Sequence, residues 1–193
     1  MIKDAILDER FEMILDNYRK TVAIDSLKAR NYIKKLDYKN NFYLLKCIAQ
    51  TYLDECRFED NSNKMRKEIN FGKWRMAEKY IIEAFKINPD NAEVLYTMGE
   101  IRKLNYQDDI AIYCFEKIIN TDIKTIATDE YGRGISFAKE LINDSNFELY
   151  RLYYETNPNL SNKYLALYKN GLKNGINSIF KPLDKFLLKG SVK

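Results

Sequence analysis

The sequence predicts an all-α protein, a stack of antiparallel helix pairs running along the chain. Three observations carry that expectation. First, one segment is written twice, 34 residues apart: Met76, Ala77, Tyr80, Ile81, Ala84 and Phe85 recur as Ile110, Ala111, Cys114, Phe115, Ile118 and Ile119. Each copy is an apolar stripe at i, i+1, i+4, i+5, i+8 and i+9, one face of a helix. A period of this length with two helices per unit marks a helical repeat. Second, 3 Pro and 7 Gly are few for 193 residues, which suits helices joined by short connections. Third, apolar–polar alternation at period 2 nowhere runs long enough to require a sheet.

The elements follow in order. Residues 3–20 read as a helix with Ala5, Ile6, Phe11, Ile14, Leu15 and Tyr18 on one side. Acids come early in it and Arg19-Lys20 late, which complements the helix dipole. Asp25 or Ser26 can cap a second helix reaching Leu36, with Leu27, Tyr32, Ile33 and Leu36 inward. Residues 40–56 form a third. Roughly Arg57 to Gly72 is then an insert rich in Asn, Lys and Glu; it reads as a solvated loop, or as a binding loop if it carries function. Helices over 73–87, 91–104 and 107–121 follow. Asn88-Pro89-Asp90-Asn91 punctuates the first two, because Pro can follow a helix but cannot continue it.

Further helices are expected over 124–142, with Tyr131, Ile135, Phe137, Ala138 and Leu141, and over 145–156, with Phe147, Leu149, Tyr150, Leu152 and Tyr153. Asn157-Pro158-Asn159 repeats the earlier punctuation. From Leu160 a helix carries Tyr164, Leu165, Tyr168 and Leu172 and ends near Gly175. Pro182 suits the first position of a short last helix closing at Gly190, with Leu183, Phe186 and Leu187 apolar. Such a helix would cap the exposed end of an array.

The stretch Ala92 to Asp122 resembles a tetratricopeptide repeat. Leu95, Met98-Gly99, Ala111, Phe115 and Ile118 stand at that family's large, Leu-Gly-like, Ala, aromatic and Ala places. Arg102 and Ile123 stand where the family has Tyr and its final Pro, so the copy is imperfect. The preceding unit ends in Ala77, Ile81, Ala84 and Pro89. Residues 40–56 match the first-helix places through Leu45, Ile48, Ala49 and Tyr52; 28 residues then separate Ala49 from Ala77, where the family has about 12, so about 16 are inserted. The resemblance implies a single domain over 1–193, a TPR-like superhelix with its clearest units at 73–122, degenerate repeats elsewhere and capping helices at the C-terminus. It also implies close helix crossings at Gly99 and Ala111, where larger side chains would force the helices apart.

Chemistry is thinly represented. The chain has no His, which removes the commonest general base and metal ligand. Cys47, Cys56 and Cys114 lack zinc-site spacing and are odd in number, so a reducing cytoplasm is expected. No apolar run approaches the roughly 20 residues of a membrane span, and the N-terminus has no signal-peptide core. Gly132-Arg133-Gly134 lacks the third Gly and the preceding strand of a phosphate loop. Asp54-Glu55, Glu59-Asp60 and Asp108-Asp109 read as helix-end or loop acids. Neither an enzyme nor a cofactor is expected.

The expected function is therefore recognition of another protein. In tetratricopeptide arrays the first helix of each unit lines a concave groove, and that resemblance points to Tyr43, Lys46, Gln50 and Leu53 on one helix and to Glu93, Tyr96, Glu100 and Lys103 on another. An immunity protein neutralising a bacterial toxin, an adaptor and a secretion chaperone are all proteins of this kind. The alternative is nucleic-acid binding by the segment 160–193, which has seven Lys, one acid (Asp184) and no Arg. The net charge of +4 does not by itself imply that partner.

Overall fold

A computed structural model describes the backbone of residues 2–58 and 70–178 and the side chains of 11–56 and 70–178. Most of the expected insert, the side chains of Ala5 and Ile6, and the expected last helix from Pro182 lie outside the described residues.

The described chain contains helices and no strand. They are α1 (Ile2–Val22), α2 (Ser26–Ile33), α3 (Phe42–Phe58), α4 (Phe71–Ile87), α5 (Ala92–Leu104), α6 (Asp108–Ile119), α7 (Ile123–Ala127), α8 (Gly134–Tyr153) and α9 (Pro158–Lys173). Local chemistry explains most starts. Asp25, Asn70, Asn91 and Asn157 each accept the backbone N–H three residues on, at 2.8, 3.1, 3.0 and 3.2 Å, satisfying a donor the helix would leave orphaned. Pro158 opens α9, where its missing N–H costs nothing.

Two expectations need correction. Residues 124–142 are not one helix: α7 stops at Ala127, and Gly132 donates its N–H to the Asp129 carbonyl. A Cβ at Gly132 would stand 2.4 Å from the Ala127 oxygen, and Gly134 has φ +83°, a conformation glycine adopts freely. Conversely, Asn143-Asp144, left between two expected helices, does not break the chain, and α8 runs through it into Ser145 and Asn146. Ser145 Oγ donates to the Leu141 carbonyl at 2.8 Å and Asn146 Nδ2 to the Ile142 carbonyl at 3.1 Å. These polar side chains bond back along their own helix and do not compete with it.

The contacts group the chain, read from sequence as one domain, into two compact units, Met1–Asp90 and Asn91–Lys193. In the first, α1 packs on α2, α2 on α3 and α3 on α4, around Leu15, Ile33, Ile48, Leu53 and Ile81. Ala29, Arg30 and Ile33 form the inner face of α2, while Leu27 is 59% exposed. In the second, α5 packs on α6, α6 on α8, α7 on α8 and α8 on α9, around Leu95, Ile101, Phe115, Ile118 and Leu141.

The echo in the sequence has a counterpart in burial. Ala77, Ile81 and Ala84 of α4 and Ala111, Phe115 and Ile118 of α6 are all fully buried. Ile110, paired with Met76 in the pattern, is exposed instead. Helices differ in kind. Phe42–Ala49 of α3, Val94–Ile101 of α5 and Asn143–Leu149 of α8 are buried at every position, whereas α4, α6 and α9 bury one face.

Gly99 sets the α5–α6 crossing. A Cβ there would meet Phe115 Cζ at 2.7 Å, and Phe115 is fully buried, so the ring has no free space to retreat into. Gly99→Ala is expected to destabilise the fold by about 1–3 kcal/mol despite its better helix propensity, read as a lower urea midpoint, and Phe115→Leu in the same chain should recover part of that loss.

Candidate partner-binding site

Seven residues were expected to face a partner: Tyr43, Lys46 and Gln50 on α3, and Glu93, Tyr96, Glu100 and Lys103 on α5. Four of them offer no free surface. Tyr43 is 3% exposed, Lys46 8%, Tyr96 3% and Glu100 4%. Gln50, Glu93 and Lys103 are partly exposed. Leu53 is also fully buried. The solvated groove face expected for these residues therefore does not hold for Tyr43, Lys46, Tyr96 and Glu100, because α3 and α5 are buried all round where they stand.

Within α3, Lys46 Nζ lies 4.2 Å from the centroid of the Tyr43 ring, and Gln50 Nε2 donates to Asp54 Oδ1 at 2.8 Å. Within the second unit, the Tyr96 ring meets Phe115 edge-on at 5.3 Å, which makes it a core aromatic. Glu100 and Lys103, one turn apart, form an ion pair. Lys103 also pairs with Glu148 of α8, and Arg151 stands 3.8 Å from Glu148. The side chains of Glu100 and Glu148 are 5% and 0% exposed. One ammonium thus holds two buried carboxylates across the α5–α8 seam. Glu148 was not singled out from the sequence. Its signal was an acid flanked by Phe147 and Leu149 on an apolar stripe.

The first unit has its own charged cluster. The Arg30 guanidinium, 2% exposed, pairs with Glu55, and Lys73 of α4 reaches the same carboxylate. Arg30 also lies 3.6 Å above the Tyr52 ring, and Tyr52 stacks on Tyr80 at 5.9 Å and 9°. Arg30 offers a flat, weakly hydrated cation that fills both roles at once. The cluster ties α2, α3 and α4 together.

On α6, Glu116 Oε1 accepts from Tyr153 at 3.1 Å and from Tyr164 at 3.2 Å. The two rings are stacked at 5.8 Å and 11°. Burial, and then the Glu116 charge, push the Tyr164 hydroxyl up to about 12. Burial also pushes the Cys114 thiol up to about 11, so it is inert at neutral pH. No group of His, Cys, Asp or Glu able to hold a metal ion occurs among the described residues. An open hollow of the second unit is lined by Ile135, Ser136, Lys139, Glu140 and Asn174.

Two predictions follow from this geometry. Lys103→Ala leaves Glu100 and Glu148 buried without their shared cation. It should cost about 3–5 kcal/mol of stability, whereas Gln50→Ala should cost well under 1 kcal/mol, both by urea denaturation. Tyr164 holds its proton more tightly folded than unfolded. Its contribution is whole below about pH 10 and is lost as pH rises through about 12. Ultraviolet titration should therefore show Tyr164 ionising near 12, with Glu116→Gln lowering that value only in part because burial is the larger cause. No protein-family model, curated protein or solved structure matches this chain.

Proposed function

We propose that this chain is a non-catalytic binding protein, a tetratricopeptide-like scaffold of stacked helix pairs that recognises another protein. The observation that carries the reading is the fate of its charged groups. Most of the buried ones pair with one another: Glu100 and Glu148 with Lys103, and Arg30 with Glu55, which Lys73 also reaches. These pairs knit helices together, which suits a rigid support. The sequential packing α5–α6–α8–α9 and the small residues at the α5–α6 crossing suit a repeat whose units nest on their neighbours.

A toxin-neutralising immunity protein is the member of this class that best suits a short chain without His, an assignment by analogy of fold. The concave groove contributes less than the family resemblance implies, since only Gln50, Glu93 and Lys103 of the seven expected residues are partly open.

The test is affinity capture of the tagged chain from its native host, with the bound fraction identified by mass spectrometry and assayed for nucleic acid. One protein partner at near-equal stoichiometry, stable to moderate salt, is expected. Elution of the chain alone, or with nucleic acid whose binding falls steeply with salt, would overturn the reading.

A further inference from the structure

We propose that the outer face of α6, with the turn before it, is a docking surface for a basic segment of another protein that carries Arg or Lys side chains beside apolar anchors. The proposal rests on the scaffold reading above and names the surface and the partner's chemistry. With α5 buried all round through Ile101, α6 is the helix of this pair that presents large side chains outward.

Tyr106 is 89% exposed, Ile110 45% and Tyr113 54%. Ile110 and Tyr113 are one turn apart on α6, and Tyr106 stands just before its first turn. Large apolar side chains thus stand exposed at successive turns here, and Tyr is among the residue types that anchor interfaces.

Tyr106 also has φ +57°. Its N–H donates to the Lys103 carbonyl at 3.2 Å, and the Gln107 N–H donates to the Arg102 carbonyl at 3.0 Å. This is the helix-ending turn that glycine normally fills. A tyrosine there keeps an unfavourable backbone angle and an exposed ring, and the ring packs on almost nothing. The two hydrogen bonds of the turn offset the backbone angle, whereas the exposure of the ring is offset by nothing the fold shows and would be by contact with a partner.

Charge selects that partner. Asp109, Tyr113 and Glu116 fall at i, i+4 and i+7 on one face of α6, and Asp108 is exposed beside them. The whole chain carries +4, so this acidic edge has the opposite sign to its molecule. Lys117 lies 5.8 Å from the Tyr113 ring and Lys163 5.1 Å from the Tyr164 ring, flanking the edge. Tyr153 and Tyr164 fix one oxygen of Glu116, which orients the carboxylate and sets two tyrosine rings at its side. The exposed carboxylates of Asp108 and Asp109, with Glu116 beside them, favour a guanidinium or ammonium through charge-assisted hydrogen bonds. An acidic peptide or an anionic membrane would meet like charge here.

The test uses the full chain, labelled for NMR, and two probes: an amphipathic peptide of Leu and Arg at helical spacing, and its counterpart with Glu for Arg. The Arg peptide should shift resonances of Tyr106 and α6 and bind at least tenfold more tightly than the Glu peptide. Asp109→Lys combined with Tyr113→Ala should weaken it at least tenfold, with only the small fall in Tm that loss of a favourable helix-start charge brings. Tyr106→Gly should raise Tm and still weaken binding, which a merely structural tyrosine would not do. Shifts mapping elsewhere, or equal binding by the double variant, would overturn the surface. Self-association that the same double variant abolishes would replace the basic segment with a second copy. If the wild type captures a host partner and the double variant captures it equally well, the surface fails and the scaffold reading stands. If neither captures a protein, the scaffold reading itself fails.

Discussion

The close approach of α5 and α6 is the constraint on which the second unit depends. Gly99 lets the backbone of α5 come within contact distance of the Phe115 ring, and Ala111 is fully buried one turn earlier on α6. Interiors pack near crystal density, so a single methylene at such a crossing has nowhere to go. Tyr96 then completes the seam by placing its edge on the same ring. The spacing of α5 and α6 is thereby set by one missing side chain and one large one, and α8 packs against α6 from there.

Burying α5 so completely places its polar residues in a low-dielectric setting. Glu100 could not remain charged there alone, since an isolated buried carboxylate costs far more than any packing gain. Lys103 answers it from the next turn and answers Glu148 on α8 at the same time. Breaking such a network is costly even where the intact network adds little net stability. Arg30, Glu55 and Lys73 follow the same logic in the first unit, with Tyr52 and Tyr80 extending the cation's contacts. Glu100, Lys103, Glu148, Arg30 and Glu55 hold helices together, while Tyr106, Ile110 and Tyr113 stand exposed.

Much of the helix order was legible in the sequence because it follows from local chemistry. Asn91 and Asn157 act as caps beside their prolines, and the Ala77–Ile81–Ala84 and Ala111–Phe115–Ile118 rows are buried. The misreadings share a cause. Asn143-Asp144 looked like a break because such residues compete with helices, and backbone-directed hydrogen bonds just after it, at Ser145 and Asn146, turn that competition into support. Leu27 looked buried on periodicity, but its helix turns Arg30 inward for the sake of Glu55.

The amino-acid order, read without coordinates, was sufficient for an all-helical chain, for its main starts and stops, and for the small residues that let neighbours nest, because these depend on spacings within a turn or two. Which charged groups lie open, and which pair across helices, depends on residues distant in the chain: 45 positions separate Lys103 from Glu148, and 25 separate Arg30 from Glu55. No periodicity encodes those meetings. Packing alone brought them together, and it buried Tyr43, Lys46, Tyr96 and Glu100 while leaving Tyr106, Ile110 and Tyr113 exposed.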